Sequence, residues 1–278
     1  MSYIETSMSD ALLNPTDTGL EVLDIQSHAA FAARRLHVRD VAMQIEGMHR
    51  LACTFIESPD TILQELVNSA VELCGADSAG ISIEREDETD DHFYQWVATA
   101  GLYAGFLNAT LPRNPSACGV CLERGQPQHF RVSQRFFDLM GVEAPTVTDG
   151  ILLPWQVDEM RGTIWIMAHG RTEAFDGDDV RLMQVLADFA AMAVRHQRQQ
   201  RTLVKQATAA AVAAMANDLA HKINNPLQSL TNLVYMAAEG VQGGDAKTLA
   251  NELSEHLQRL TVLVGKLLEL PDHTVGLE

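Results

Sequence analysis

One run of this sequence has residue types and spacing that could do chemistry: Leu219-Ala220-His221-Lys222-Ile223-Asn224-Asn225-Pro226-Leu227. Apolar residues recur around it at Val212, Met215, Leu219, Ile223, Leu227, Leu230, Val234 and Ala237. Steps of three and four mark a helix with one buried face. At about 100° per residue, His221 falls roughly opposite that stripe. Asn217, Asn225 and Gln228 share its side, so an imidazole stands in the middle of a polar surface, available for chemistry or for contact. Pro226 interrupts the amide ladder and predicts a kink just after the histidine.

Other reactive residues carry weaker signals. Four cysteines in 278 residues do not make a disulfide framework. Cys53 and Cys74 lie in apolar helical stretches and read as core. Cys118 and Cys121 form a CxxC, but zinc needs a second pair, and a thioredoxin-like motif needs a βαβ frame. Packing is their expected role, with redox sensing and ligand contact as alternatives. His129 and His169 are of the type that ligates haem iron, and equally of the type that holds a fold together. Trp96, Tyr103, Phe130 and Trp165 could line an apolar cavity or simply fill a core. No cofactor, ligand or metal is named on these grounds.

The elements that must position these residues fall into four stretches. Residues 1–35 show little periodicity and are expected to be a mobile segment. Residues 36–195 alternate helices and strands. An amphipathic stretch over 59–74 has Ser58 or Asp60 as a candidate cap. Strands are predicted over 76–84, 93–99, 128–132, 150–157 and 162–169, and short helices over 101–107 and 118–124. Asp158 to Arg161 form a polar turn that predicts an antiparallel hairpin. Residues 196–210 read as a helical linker. Residues 211–272 read as two amphipathic helices, the second striped by Leu249, Leu253, Leu257, Leu260, Leu263, Leu267 and Leu270, with 240–245 as the turn. From Asp178 to Glu239 Pro226 is the one helix breaker, so a helix of some 60 residues, roughly 90 Å at 1.5 Å per residue, is expected.

Composition excludes some classes. A net charge of −17 disfavours nucleic-acid binding. No stretch approaches the roughly 18 to 20 apolar residues that cross a bilayer, and the N-terminus lacks a signal-peptide pattern. A cytoplasmic protein is expected, with neither nucleic acid nor membrane as partner.

Two resemblances sharpen this reading. Ala76 to Ile83, Ser116 to Gly125 with Gln128-His129-Phe130, Leu152 to Trp155, Arg161 to Trp165 and Phe175-Asp176 with the helix after it resemble a GAF domain, a small-molecule sensory module. The likeness implies an antiparallel sheet with flanking helices and a pocket over one face. Met215 to Leu227 resembles the H-box of sensor histidine kinases, whose usual string reads roughly LAHEINNPL. That likeness implies an α+β chain in which a GAF domain is joined by a long helix to an α-helical hairpin that dimerises into a four-helix bundle of HisKA type. It also implies His221 as phosphoacceptor and Asn225 in support, with a response regulator receiver domain or a partner histidine kinase as partner. Lys222 departs from the family's acid and cannot accept a proton while charged. The ATP-binding domain of such kinases, with its asparagine-rich and glycine-rich motifs, has no counterpart here. Autokinase activity is therefore expected to be absent. A two-component signal transduction protein that relays phosphate is the leading expectation; a non-enzymatic regulatory dimer and a fragment of a complete kinase are the alternatives.

Overall fold

A computed structural model describes residues 15–36, 40–85, 89–238 and 246–268. The expected turn over 240–245, the first 14 residues and the end from 269 lie outside them. The chain divides into two units, Met1–Gln199 and Gln200–Glu278.

In the first unit a short helix α1 (Pro15–Thr18) leads into strand β1 (Leu20–Asp24) and a helical turn α2 (Ala29–Ala32). Helices α3 (Val41–Glu57) and α4 (Ile62–Cys74) follow, then strands β2 (Ser78–Glu84), β3 (Tyr94–Gly101) and β4 (Thr110–Leu111). Helix α5 (Ala117–Arg124), strand β5 (Gln128–Val132) and helix α6 (Gln134–Met140) precede a hairpin of β6 (Val147–Val157) and β7 (Met160–Ala168). The seven strands form one antiparallel sheet in the order β1-β5-β6-β7-β2-β3-β4. Helix α7 (Gly177–Ala238) begins in this unit and ends in the second, where α8 (Ala246–Leu268) also lies.

The sheet is covered on both faces. On one, Leu51 of α3, Ile62, Leu66 and Val67 of α4, and Met183, Leu186 and Ala190 of α7 pack on Ile81, Ile151, Ile164 and Ile166. Burying each such aliphatic side chain contributes about 1.5–3 kcal/mol. The opposite face carries a second, aromatic-rich cluster under α5 and α6. The β6–β7 connection is the expected tight hairpin: Val157 pairs with Met160, and Asp158 takes a positive φ of 52°. Helix α4 departs from expectation at its start, where Pro59–Thr61 make a 3₁₀ turn without a side-chain cap from Ser58.

One expectation is corrected. The stretch 1–35 is not wholly a loose leader: β1 pairs with β5 from Leu20↔Val132 to Asp24↔Gln128, and Leu20, Phe31 and Arg34 are buried. The reason is electrostatic. Arg34 Nη1 donates to the Asp149 carboxylate at 3.0 Å and to the Phe175 carbonyl at 2.9 Å. His129 Nε2 lies 2.6 Å from Asp149 Oδ1, and the amides of Ala174 and Phe175 donate to Oδ2 at 2.9 and 3.2 Å. One buried carboxylate thus ties the N-terminal segment, β5, β6 and the lead-in to α7 together.

Burial alone pushes the Asp149 carboxyl up. The His129 hydrogen bond and charge, reinforced by those of Arg34, outweigh it and hold the group below the ordinary carboxylate value. Asp149→Ala, which leaves Arg34 and His129 buried without their anion, should lower stability by about 3–5 kcal/mol in urea denaturation. Because the folded value lies below the unfolded value of about 3.9, the carboxylate's contribution is complete above that pH and lost as pH falls through the folded value. The acid limb of stability should accordingly flatten in Asp149→Asn.

Candidate functional site

Two places in the chain gather chemistry. The first is a cavity of about 60 Å³ on the aromatic face of the sheet. All four expected aromatics line it: Trp96 from β3, Tyr103 from the turn after it, Phe130 from β5 and Trp165 from β7. Leu20 of β1 and Phe136 and Phe137 of α6 complete the wall, and the sequence reading missed these. Phe136-Phe137 was detectable, since Ser133 and Gly141 bracket the run as cap residues bracket a short helix. Gly141 and Gly125 both take positive φ and end α6 and α5, turning the chain back over the cavity.

Two devices aim these rings. A bulge between Ile81 and Ser82 on β2 pairs Ile81 with Ala98 and Ser82 with Trp96, leaving Val97 over. One extra residue reverses the alternation, so Trp96 faces the cavity while Ala98 and Ala100 face the helices. The second device pairs each large ring with the glycine directly across the ladder. Trp165 lies opposite Gly80, Phe130 opposite Gly150 and, on the other face, Trp155 opposite Gly162. A methyl at Gly80 would stand 2.1 Å from Trp165 Cζ2, and one at Gly150 would stand 2.6 Å from Phe130 Cε1. Only glycine lets these rings lie flat on the neighbouring strand.

The polar groups near the cavity are mostly engaged. Tyr103 donates to the Pro145 carbonyl at 2.7 Å. Ser116 accepts from the Gly119 amide and so caps α5. Cys118 Sγ accepts from Thr163 and Ser82, while Cys121 Sγ points to the Gln126 and Leu152 carbonyls. The CxxC is therefore a pair of packed thiols with separate partners. Burial pushes both thiols up, away from the reactive thiolate. In the native protein a disulfide reagent such as DTNB should react with the half-buried Cys53 first; Cys74, Cys118 and Cys121 should need denaturant.

His129 and His169 are not open ligands. His129 is committed to Asp149 and packs on Phe31, away from the cavity. His169 engages Ser78 Oγ through Nε2 and the Thr146 carbonyl through Nδ1, both at 2.8 Å. Among the described residues no group of three or more His, Cys, Asp or Glu is placed to hold a metal.

The second place is the helical unit. His221 is exposed on α7, and Asn217, Asn225 and Gln228 are exposed with it. The half-buried seam is narrower than the apolar stripe: it takes Val212, Ala216, Leu219, Ile223, Leu230 and Leu233, with Pro226 buried among them. The helix continues through Pro226, which removes one ladder bond without ending it. Lys222 Nζ is 2.7 Å from Asp218 one turn back. Lys222, Asn225, Pro226 and Ser229 of α7 face Glu255, His256, Arg259 and Leu263 of α8 across a groove of about 650 Å³, so the two helices are neighbours there. In α8, Leu253, His256, Leu260 and Leu263 are half-buried and Leu257 is exposed; the side chains of Leu249, Leu267 and Leu270 lie outside the described residues.

Among the described residues no helix is long and apolar enough to cross a membrane. No curated protein matches the chain. Among solved structures, it is similar to the GAF domain of a phosphoenolpyruvate-protein phosphotransferase from Coxiella burnetii (18% identity, 59% of this chain, 99% of that chain, TM-score 0.47). It is also similar to free methionine-R-sulfoxide reductase from Neisseria meningitidis (16% identity, 61% of this chain, 99% of that chain, TM-score 0.46). A third is the GAF domain of a sensor histidine kinase homologue from Pseudomonas syringae pv. tomato (20% identity, 59% of this chain, 94% of that chain, TM-score 0.40). The assignment rests instead on the GAF domain family model, which matches residues 58–194 and encloses β2 to β7, α4 to α6 and the first turns of α7. Residues 58–194 of this chain are a GAF domain.

Proposed function

We propose that the chain is a two-component signalling protein in which the GAF domain senses a small molecule in its aromatic cavity and controls a helical, phosphoacceptor-type dimer. The observation that carries this reading is the exposed His221 within Leu219 to Leu227, set opposite a half-buried seam. An exposed imidazole can take a phosphoryl group: a ring nitrogen's lone pair forms the N–P bond while the bond from phosphorus to its carrier oxygen breaks. Asn225, exposed one turn on, has the supporting role in this reading. The donor or acceptor is a receiver domain of a response regulator or a partner histidine kinase.

Dimerisation has its own support. A two-helix hairpin buries one seam, yet Leu227 and Val234 on α7, and Leu257 and Val264 on α8, stay exposed. Each pair is seven residues apart, the spacing of a second helical seam. A second copy laid on it would complete a four-helix bundle.

Intact-mass analysis at alkaline pH, which preserves phosphohistidine, should show a phosphoryl adduct in protein isolated from its native host and none in His221→Gln. Loss of the adduct in the wild type as well would favour the second reading, a regulatory dimer that binds its partner without carrying phosphate. The Lys222–Asp218 pair favours that reading, because it sets an engaged cation where the H-box family has a free acid. Light scattering should give twice the chain mass, and Leu227→Glu combined with Val234→Glu should give a monomer with its GAF domain folded.

A further inference from the structure

Strand β1 lies outside the matched residues 58–194, yet it extends the sheet beyond β5 and brings Leu20 into the wall of the cavity. The segment from β1 to Arg34 is thus a strap across one edge of the domain. Its fastening sets two imidazoles side by side. His28, at the N-cap of α2, and His129 of β5 have ring centroids 5.4 Å apart. The Nδ1 atom of each is buried without a hydrogen-bond partner among the described residues.

The charged groups around His28 are already committed to one another. Asp149 of β6, beyond His129, accepts from Arg34, His129 and two backbone amides. Arg131 of β5 faces Glu21 of β1 at 3.5 Å, and Asp24 at the end of β1 accepts from the Gln26 amide. A proton on His28 would therefore add a cation beside Arg34, Arg131 and His129, with every carboxylate of this group already engaged. The neutral ring carries no such cost where it packs against Phe31 and His129.

We propose that His28 is a proton-sensitive catch on this strap: neutral, it lets β1 dock and complete the cavity wall with Leu20; protonated, it loosens β1 from β5 and takes Leu20 out of that wall. The surroundings set the direction. Burial first, then the charges of His129, Arg34 and Arg131, hold His28 below its ordinary value of 6.5, and Glu21 pulls weakly the other way. Because the docked value is the lower one, docking is at full strength above pH 6.5 and is lost as pH falls through the docked value. Asp149 titrates in a separate and more acidic window, below the ordinary carboxylate value, and stays charged while His28 gains its proton.

The test is native-state hydrogen exchange of the full-length protein between about pH 7.5 and 5.0, corrected for the intrinsic pH dependence of exchange. The β1–β5 ladder from Leu20 to Asp24 is the reporter, and the β2–β7 ladder is the internal reference. The expected result is an opening constant for β1 that rises roughly two- to tenfold per pH unit below about 6.5, with the reference ladder unmoved. His28→Phe, which keeps a ring against Phe31 and cannot titrate, should abolish that rise; His28→Gln gives the same reading should the phenyl variant fail to fold. A β1 ladder indifferent to pH over this range would overturn the catch, and so would one equally sensitive in the variants. Simultaneous loosening of both ladders would overturn it as well, because that is global acid unfolding and not release of a strap. The His28 ring proton, followed by NMR in the same samples, should titrate below 6.5; a midpoint at or above that value would remove the basis of the proposal.

Discussion

The buried carboxylate of Asp149 is the interaction on which the first unit depends. It accepts from Arg34, His129 and two backbone amides, so four separate segments converge on one charge. A buried charge is tolerated only when its partners are complete, which makes the arrangement all-or-none rather than graded. Because the amides of Ala174 and Phe175 belong to the segment that leads into α7, the carboxylate fixes where that helix leaves the sheet.

The cavity is built on the face away from this anchor, from rings that rest on glycines. Glycine in a strand interior ordinarily weakens it, and here the loss is offset by a Trp or Phe lying across the gap. The arrangement yields broad apolar walls close to the backbone, and it leaves two indole N–H groups with nothing to bond. Residues 58–194, which supply most of these walls, are a GAF domain.

The helical unit shows a related incompleteness. Its apolar stripe is wider than the seam that two helices bury, so Leu227, Val234, Leu257 and Val264 are left exposed beside the surface that bears His221. Exposed apolar residues at heptad spacing on neighbouring helices are the feature on which the proposed dimer rests.

The order of amino acids by itself determined much of this protein. Alternation marked β2, β5, β6 and β7, three- and four-residue periodicity marked α4 and the long α7, and the Asp158-Glu159 turn marked the hairpin. The four aromatics of the cavity were visible as candidates, and so was the outward face of His221. Tertiary structure alone decided the rest. Whether Trp96 faces the cavity or the helices turns on a single extra residue, Val97, which no pattern within β3 reveals because a bulge exists only against its partner strand. The strand at Leu20–Asp24 gave no periodic signal because its place is set by an arginine ten residues beyond it meeting an aspartate more than a hundred residues away. A separate hydrogen bond to the same carboxylate took His129 out of contention as a ligand. Local sequence sets what each segment can become; the meeting of distant charges and opposed strands sets which way its side chains point.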